Sequence, residues 1–161
     1  MKKGLFYSML FMMSFSLMSS TCSSDDDDGG SPNNNNQQIA EIENTASTGT
    51  WIITSYIDSG DDETNDFNGY NFTFSTDGTL TANNNASTKI GTWSVTDSNS
   101  NDDSNSSDDI DFNINFPVPD TDDFEDLNDD WDMVTYNDTM ISLIDISGGN
   151  GGTDTLVFER N

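Results

Sequence analysis

Between Ile110 and Phe116 the chain alternates without a break: Ile110, Phe112, Ile114 and Phe116 are separated by Asp111, Asn113 and Asn115. Successive side chains of a strand point to opposite faces, so this pattern specifies one dry and one wet face and does not suit a helix of period 3.6. Tyr70, Phe72 and Phe74 repeat the pattern. From Gly49 onward, short β-branched and aromatic runs alternate with Asn, Asp, Gly and Ser turns, which is how strands are punctuated. Eight runs read as strands: Trp51–Asp58, Tyr70–Ser75, Thr79–Asn83, Lys89–Thr96, Ile110–Phe116, Trp131–Tyr136, Thr139–Ile146 and Thr155–Arg160. Thr76-Asp77-Gly78-Thr79 is an Asp-Gly hairpin turn, and Asn137-Asp138 is a second tight connection. No run of ten or more residues carries helical spacing, and Asp122–Leu127 offers a single turn.

Eight short antiparallel strands either close into a small up-and-down β-barrel or stack as a β-sandwich. The expectation is all-β and the barrel, because closure removes the exposed edges through which strand-rich domains aggregate. Two connections are long: the polar 97–109, expected to be mobile, and 117–130, which holds Pro117 and Pro119 and ends at Trp131.

The N-terminal part is of another kind. Lys2 and Lys3 precede an apolar run from Leu5 to Met18 and the small residues Ser19, Ser20 and Thr21, the three parts of an export signal. The run is 14 residues long, short of the roughly 20 that span a bilayer. It ends before Cys22, the only cysteine. This arrangement resembles the lipobox of bacterial lipoproteins, with Ser19 where Leu is preferred, and implies lipidation of Cys22 and removal of residues 1–21. Ser23, Ser24, Asp25, Asp26, Asp27 and Asp28 resemble the acidic tag that routes some Gram-negative lipoproteins to the outer face of the outer membrane. Residues 23–38 carry no apolar side chain besides Pro32 and are expected to be a disordered tether, because such a segment cannot offset its conformational entropy by burial. Ile39–Ile42 is weakly helical within a short lead-in. The expected division is 1–21 signal, 22–47 lipidated tether and 48–161 folded domain.

Charge narrows the partners. All 30 acidic residues follow Cys22, and loss of Lys2 and Lys3 with the signal takes the formal charge from −26 to −28. Such a polyanion is a poor ligand for nucleic acid or anionic membrane surfaces, whose recognition rests on Lys and Arg. It is expected to be a monomer held to outer-membrane lipid through Cys22.

Gly49-Thr50-Trp51 opens the first strand and resembles the Gly-x-Trp start of lipocalins. The Asp77-Gly78 hairpin, a second Gly91-Thr92-Trp93, the strand after Asp129-Asp130-Trp131 and the final Leu156-Val157-Phe158-Glu159-Arg160-Asn161 follow in the order found in small bacterial lipocalin-like lipoproteins. The resemblance covers about 48–161. It implies a barrel closed by a Trp51–Arg160 pair, and an interior lined by Tyr70, Phe72, Phe74, Trp93, Phe112, Phe116 and Trp131, with Trp51, Ile53, Ile114 and Leu143. That lining is either a pocket for a small apolar ligand or a packed core. The Thr-Asp-Tyr motif of classical lipocalins is missing; Asn137-Asp138-Thr139 stands there.

Catalytic equipment is sparse. The chain has no histidine, the usual base near neutral pH. Cys22 is committed to lipid, Lys89 sits in a polar turn, and Gly148–Gly152 lacks the lysine of a phosphate loop. No enzyme and no cofactor are expected. Oxygen-rich groups at Asp58, Asp61, Asp62 and Glu63, or Asp120, Asp122 and Asp123, suit weak calcium binding without the EF-hand spacing. The alternative to a ligand carrier is a non-catalytic adhesion or structural module with acidic loops, for which Tyr56 or Tyr136 on the wet face could contact glycans. Asp138-Thr139-Met140 and Asp154-Thr155-Leu156 resemble an Asp-Thr-apolar acceptor for bacterial O-glycosylation.

Overall fold

The computed structural model describes residues 34–97, 110–146 and 152–161. The export signal, Cys22, the acidic run Ser23–Asp28, most of the 97–109 connection and nearly all of Gly148–Gly152 lie outside the described residues. A helix α1 (Asn34–Ala46) leads into β1 (Trp51–Asp58), β2 (Asp61–Asp62), β3 (Asn71–Phe74), β4 (Thr79–Asn83), β5 (Thr88–Asp97), β6 (Ile110–Asn115), β7 (Asp129–Asn137), β8 (Met140–Ile146) and β9 (Thr153–Arg160). Single 3-10 turns form at Thr64–Phe67 and Glu125–Leu127.

Each long strand pairs antiparallel with the next, and β9 returns to β1, with Trp51 opposite Arg160 and Ile57 opposite Thr155. The sheet is therefore a closed up-and-down barrel of eight strands, with β2 a two-residue appendage on β1. That closure excludes the sandwich. The seam between β1 and β3 is thin, resting on the Trp51–Phe72 pair.

One core fills the barrel. Trp51, Phe72, Leu80, Phe112, Ile141, Leu143, Leu156 and Phe158 are fully buried. The Asp77-Gly78 hairpin forms where the sequence places it, with the Thr79 amide donating to Asp77 Oδ1 at 3.0 Å. Gly91, on β5, has no room for a side chain: a Cβ there would lie 2.3 Å from the Asn115 carbonyl oxygen and 2.8 Å from the Phe116 ring.

Three expectations need correction. Residues 34–46 form one helix, so the weak helicity expected at Ile39–Ile42 extends in both directions and 34–38 are not disordered tether. The stripe Asn35, Ile39, Ile42 and Ala46 has helical spacing, and Ile42 and Ala46 are buried in the barrel core. The folded unit therefore begins well before residue 48. Strand β7 starts at Asp129, two residues before Trp131. Lys89 lies in β5, as the strand reading of Lys89–Thr96 has it, and not in the polar turn also read for it.

Candidate functional site

Two ends and one interior are available for function. At the helix end stand α1, the first residue of β1, the last of β9, and the β3–β4 and β7–β8 hairpins. After α1 the chain turns through Gly49, whose φ of +79° is left-handed backbone that glycine adopts freely. The turn brings the Trp51 indole back under the helix, where its Nε1 donates to the Ala46 carbonyl at 2.8 Å. Arg160 Nη2 donates to the Thr45 carbonyl at 3.1 Å, and its guanidinium lies 4.8 Å from the Trp51 ring centroid. Two carbonyls of the last helical turn are thus satisfied by side chains, and the cation sits at the negative end of the helix dipole. Arg160 Nε is buried without an acceptor; the indole face offers it electrostatic compensation.

The opposite end is closed by loops. The 59–70 segment brings in Phe67, and the 116–128 segment brings in Phe124 and Leu127, all buried. Phe124 is the hub: its ring centroid lies 4.9 Å from Tyr70, 5.0 Å from Phe116 and 5.4 Å from Phe67. Neither Phe67 nor Phe124 was nominated by the sequence, where each stands alone among polar residues.

The residues expected to line a ligand space are all in the barrel, and they contact one another. Phe74 meets Trp93 at 5.3 Å, Phe112 at 5.4 Å and Phe158 at 5.4 Å, while Trp93 stacks on Phe112 at 5.6 Å. Phe72 meets Phe158 at 5.3 Å. Trp131 is buried, its Nε1 donating to the Leu127 carbonyl at 3.1 Å. Tyr70 is half-buried at the rim. These edge-to-face and stacked distances are those of rings in direct contact. The open clefts described lie on the outside. One, of about 720 Å³, lies against β5 and β6 and is lined by Thr92, Ser94, Asn113 and Asn115 together with Asp77, Asp129 and Asp130.

The nominated wet-face aromatics are displaced. Tyr56 is buried, its hydroxyl donating to the Asp126 carbonyl at 2.9 Å. A bulge between Ile53 and Ser55 shifts the alternation by one, so Tyr56 turns inward. Burial, with Asp58 and Asp126 nearby, raises its pKa above the ordinary tyrosine range. Tyr136 is half-buried against the core, its hydroxyl 3.4 Å from Glu41 on α1.

Acids crowd the loop end without forming an ion cage. Among the described residues no group of three or more acidic side chains is placed to hold a metal. Of the Asp120, Asp122 and Asp123 set, Asp122 is committed to an ion pair with Lys89, whose Nζ also lies 5.5 Å from the centre of the Phe124 ring. The hydrogen bond from Lys89 lowers the Asp122 pKa. Asp129 is pushed up to about 6, first by burial and then by Asp130. Glu63 and Asp126 are also raised, by partial burial and by neighbouring carboxylates.

No family model matches the chain, and no curated protein matches it. Among solved structures it is similar to the crystal structure of a DUF4847 family protein from Bacteroides vulgatus, at 20% identity, covering 74% of this chain and 97% of that one, with a TM-score of 0.46.

Proposed function

We propose that this chain is a lipoprotein of the outer membrane, anchored through Cys22 and carried to the cell surface, whose lipocalin-like barrel is a rigid non-catalytic module and not a carrier. Export and anchoring are supported by the basic, apolar and small-residue parts of the N-terminus, the lone Cys22 and the Ser23–Asp28 run. The observation that carries the rest is the ring-to-ring contact of Phe72, Phe74, Trp93, Phe112 and Phe158 inside a barrel plugged at both ends. An interior filled by its own side chains acts as a core, whereas carriers of this barrel size leave it under-filled. Function then lies on the outer face and the acidic loops, which attract cations weakly and repel polyanions. The absence of histidine from the sequence and the engagement of Lys89 by Asp122 support a non-catalytic role.

The test is native mass spectrometry of the full chain purified from the membranes of its host. The expected species starts at Cys22, carries covalent acyl chains and holds no small molecule. A retained apolar molecule would overturn the scaffold reading, and an unlipidated Cys22 would overturn the anchor.

A further inference from the structure

The two Asp-Thr-apolar segments are equivalent in sequence and unlike in the fold. Asp138 and Thr139 form the connection between β7 and β8, both exposed, and Met140 begins β8 half-buried. The turn is held by Asn137 Oδ1, which accepts both the Thr139 amide and the Thr139 hydroxyl at 2.8 Å, and by the Thr139 carbonyl, which accepts the Arg160 amide at 2.9 Å and leaves the side chain exposed. Nothing in the barrel has to move for this tip to enter another protein's cleft. Thr155 lies within β9, half-buried, opposite Ile57 on one side and Ile144 on the other, and Leu156 beside it is fully buried. Presenting 154–156 to an enzyme would require β9 to leave both neighbours and open the barrel.

We propose that Thr139 is an O-glycosylation acceptor and that Thr155 is not. The co-substrate is a glycosyl diphosphate. Thr139 Oγ1 bonds to the anomeric carbon, that carbon's bond to the diphosphate oxygen breaks, and the hydroxyl proton passes to a base of the transferase. No electrons change hands. The added sugar projects from the helix end of the barrel and leaves the core untouched. The inference rests on the export reading for where the chain meets its donor.

The experiment is intact-mass and fragment-ion sequencing of the full chain from a host that glycosylates its own exported proteins, for the natural sequence, Thr139→Ala, Thr139→Ser and Thr155→Ala. The expected result is a sugar on the Thr139 peptide, lost completely in Thr139→Ala and kept in Thr139→Ser and Thr155→Ala. Circular dichroism of each variant reports whether the barrel is intact. An unmodified Thr139 peptide, or a sugar on Thr155, would sink the inference. The N-terminal peptide is read separately: a chain that keeps residues 1–21 counts against export, whatever Thr139 carries.

Discussion

The two ends of the barrel are closed by different physics. At the helix end, α1 is tied down by hydrogen bonds from Trp51 and Arg160 to its last carbonyls and by a cation over an indole. These are short-range contacts, little affected by salt or pH. At the loop end the plug is a cluster of aromatic rings around Phe124, with Glu63 and Asp126 on the plugging segments and Asp129 where β7 begins just after them. Here the apolar contacts stabilise and these three carboxylates oppose, because partial burial and neighbouring carboxylates disfavour their charged forms, whereas Lys89 holds Asp122 in its charged form. A polyanion can thus close one end independently of its charge and the other in spite of it.

That contrast can be broken most severely at Trp51. Trp51→Ala removes the ring, the Ala46 contact and the Arg160 partner together, and is expected to cost about 3–5 kcal/mol, read as a fall in the urea midpoint. A loss below about 1 kcal/mol would mean that the helix end does not hold the fold. Phe124→Ala is expected to cost about 3 kcal/mol and to act locally. Amide exchange should rise in 59–70 and 116–128 and stay unchanged in α1; a uniform rise would show the two ends to be one cooperative unit.

The smallest effect sharpens the electrostatic half of the comparison. Asp129 has a folded pKa of about 6, above its ordinary 3.8, so the folded state binds this proton more tightly than the unfolded chain. Its penalty is fully present above about pH 6 and is relieved as pH falls toward 3.8. Asp122, whose pKa is lowered by Lys89, works in the opposite direction and loses its contribution as the medium becomes more acid. Thermal stability should therefore rise between pH 7.5 and 5 (a window of about 2.5 units around the shifted value). Asp129→Asn, which keeps the oxygen that accepts the Asp130 amide, should stabilise the protein at pH 7.5 by about 1 kcal/mol after allowance for solvent screening of a half-exposed group. It should also flatten the pH response. An unchanged profile would remove Asp129 from the account.

Much of the fold was legible because the strands carry their own signal. The limits of β1 and β4 follow directly from the runs Trp51–Asp58 and Thr79–Asn83. The first and last strands pair, as a barrel requires, and Trp51 faces Arg160. What was missed shares one cause. Phe67 and Phe124 are isolated apolar residues in polar surroundings, and around Ile39–Ile42, read as weakly helical, the apolar points are too few to show a helix running from Asn34 to Ala46; periodicity cannot be measured on one or two points. Tyr56 was misplaced for a related reason: alternation from Trp51 points it outward, and the bulge that turns it inward leaves no mark in the residue types.

By itself the sequence determined the predominantly β class, the turns, most of the dry face and the net charge, because each is a local or compositional property. Only the tertiary structure decided that the dry faces meet as a filled core, that α1 and the two loops seal the ends, and that one Asp-Thr segment is exposed while its twin is locked in β9. Those outcomes depend on how much volume the rings occupy once the barrel closes and on which distant segments fit the openings that remain, and neither is encoded in the spacing of residues along the chain.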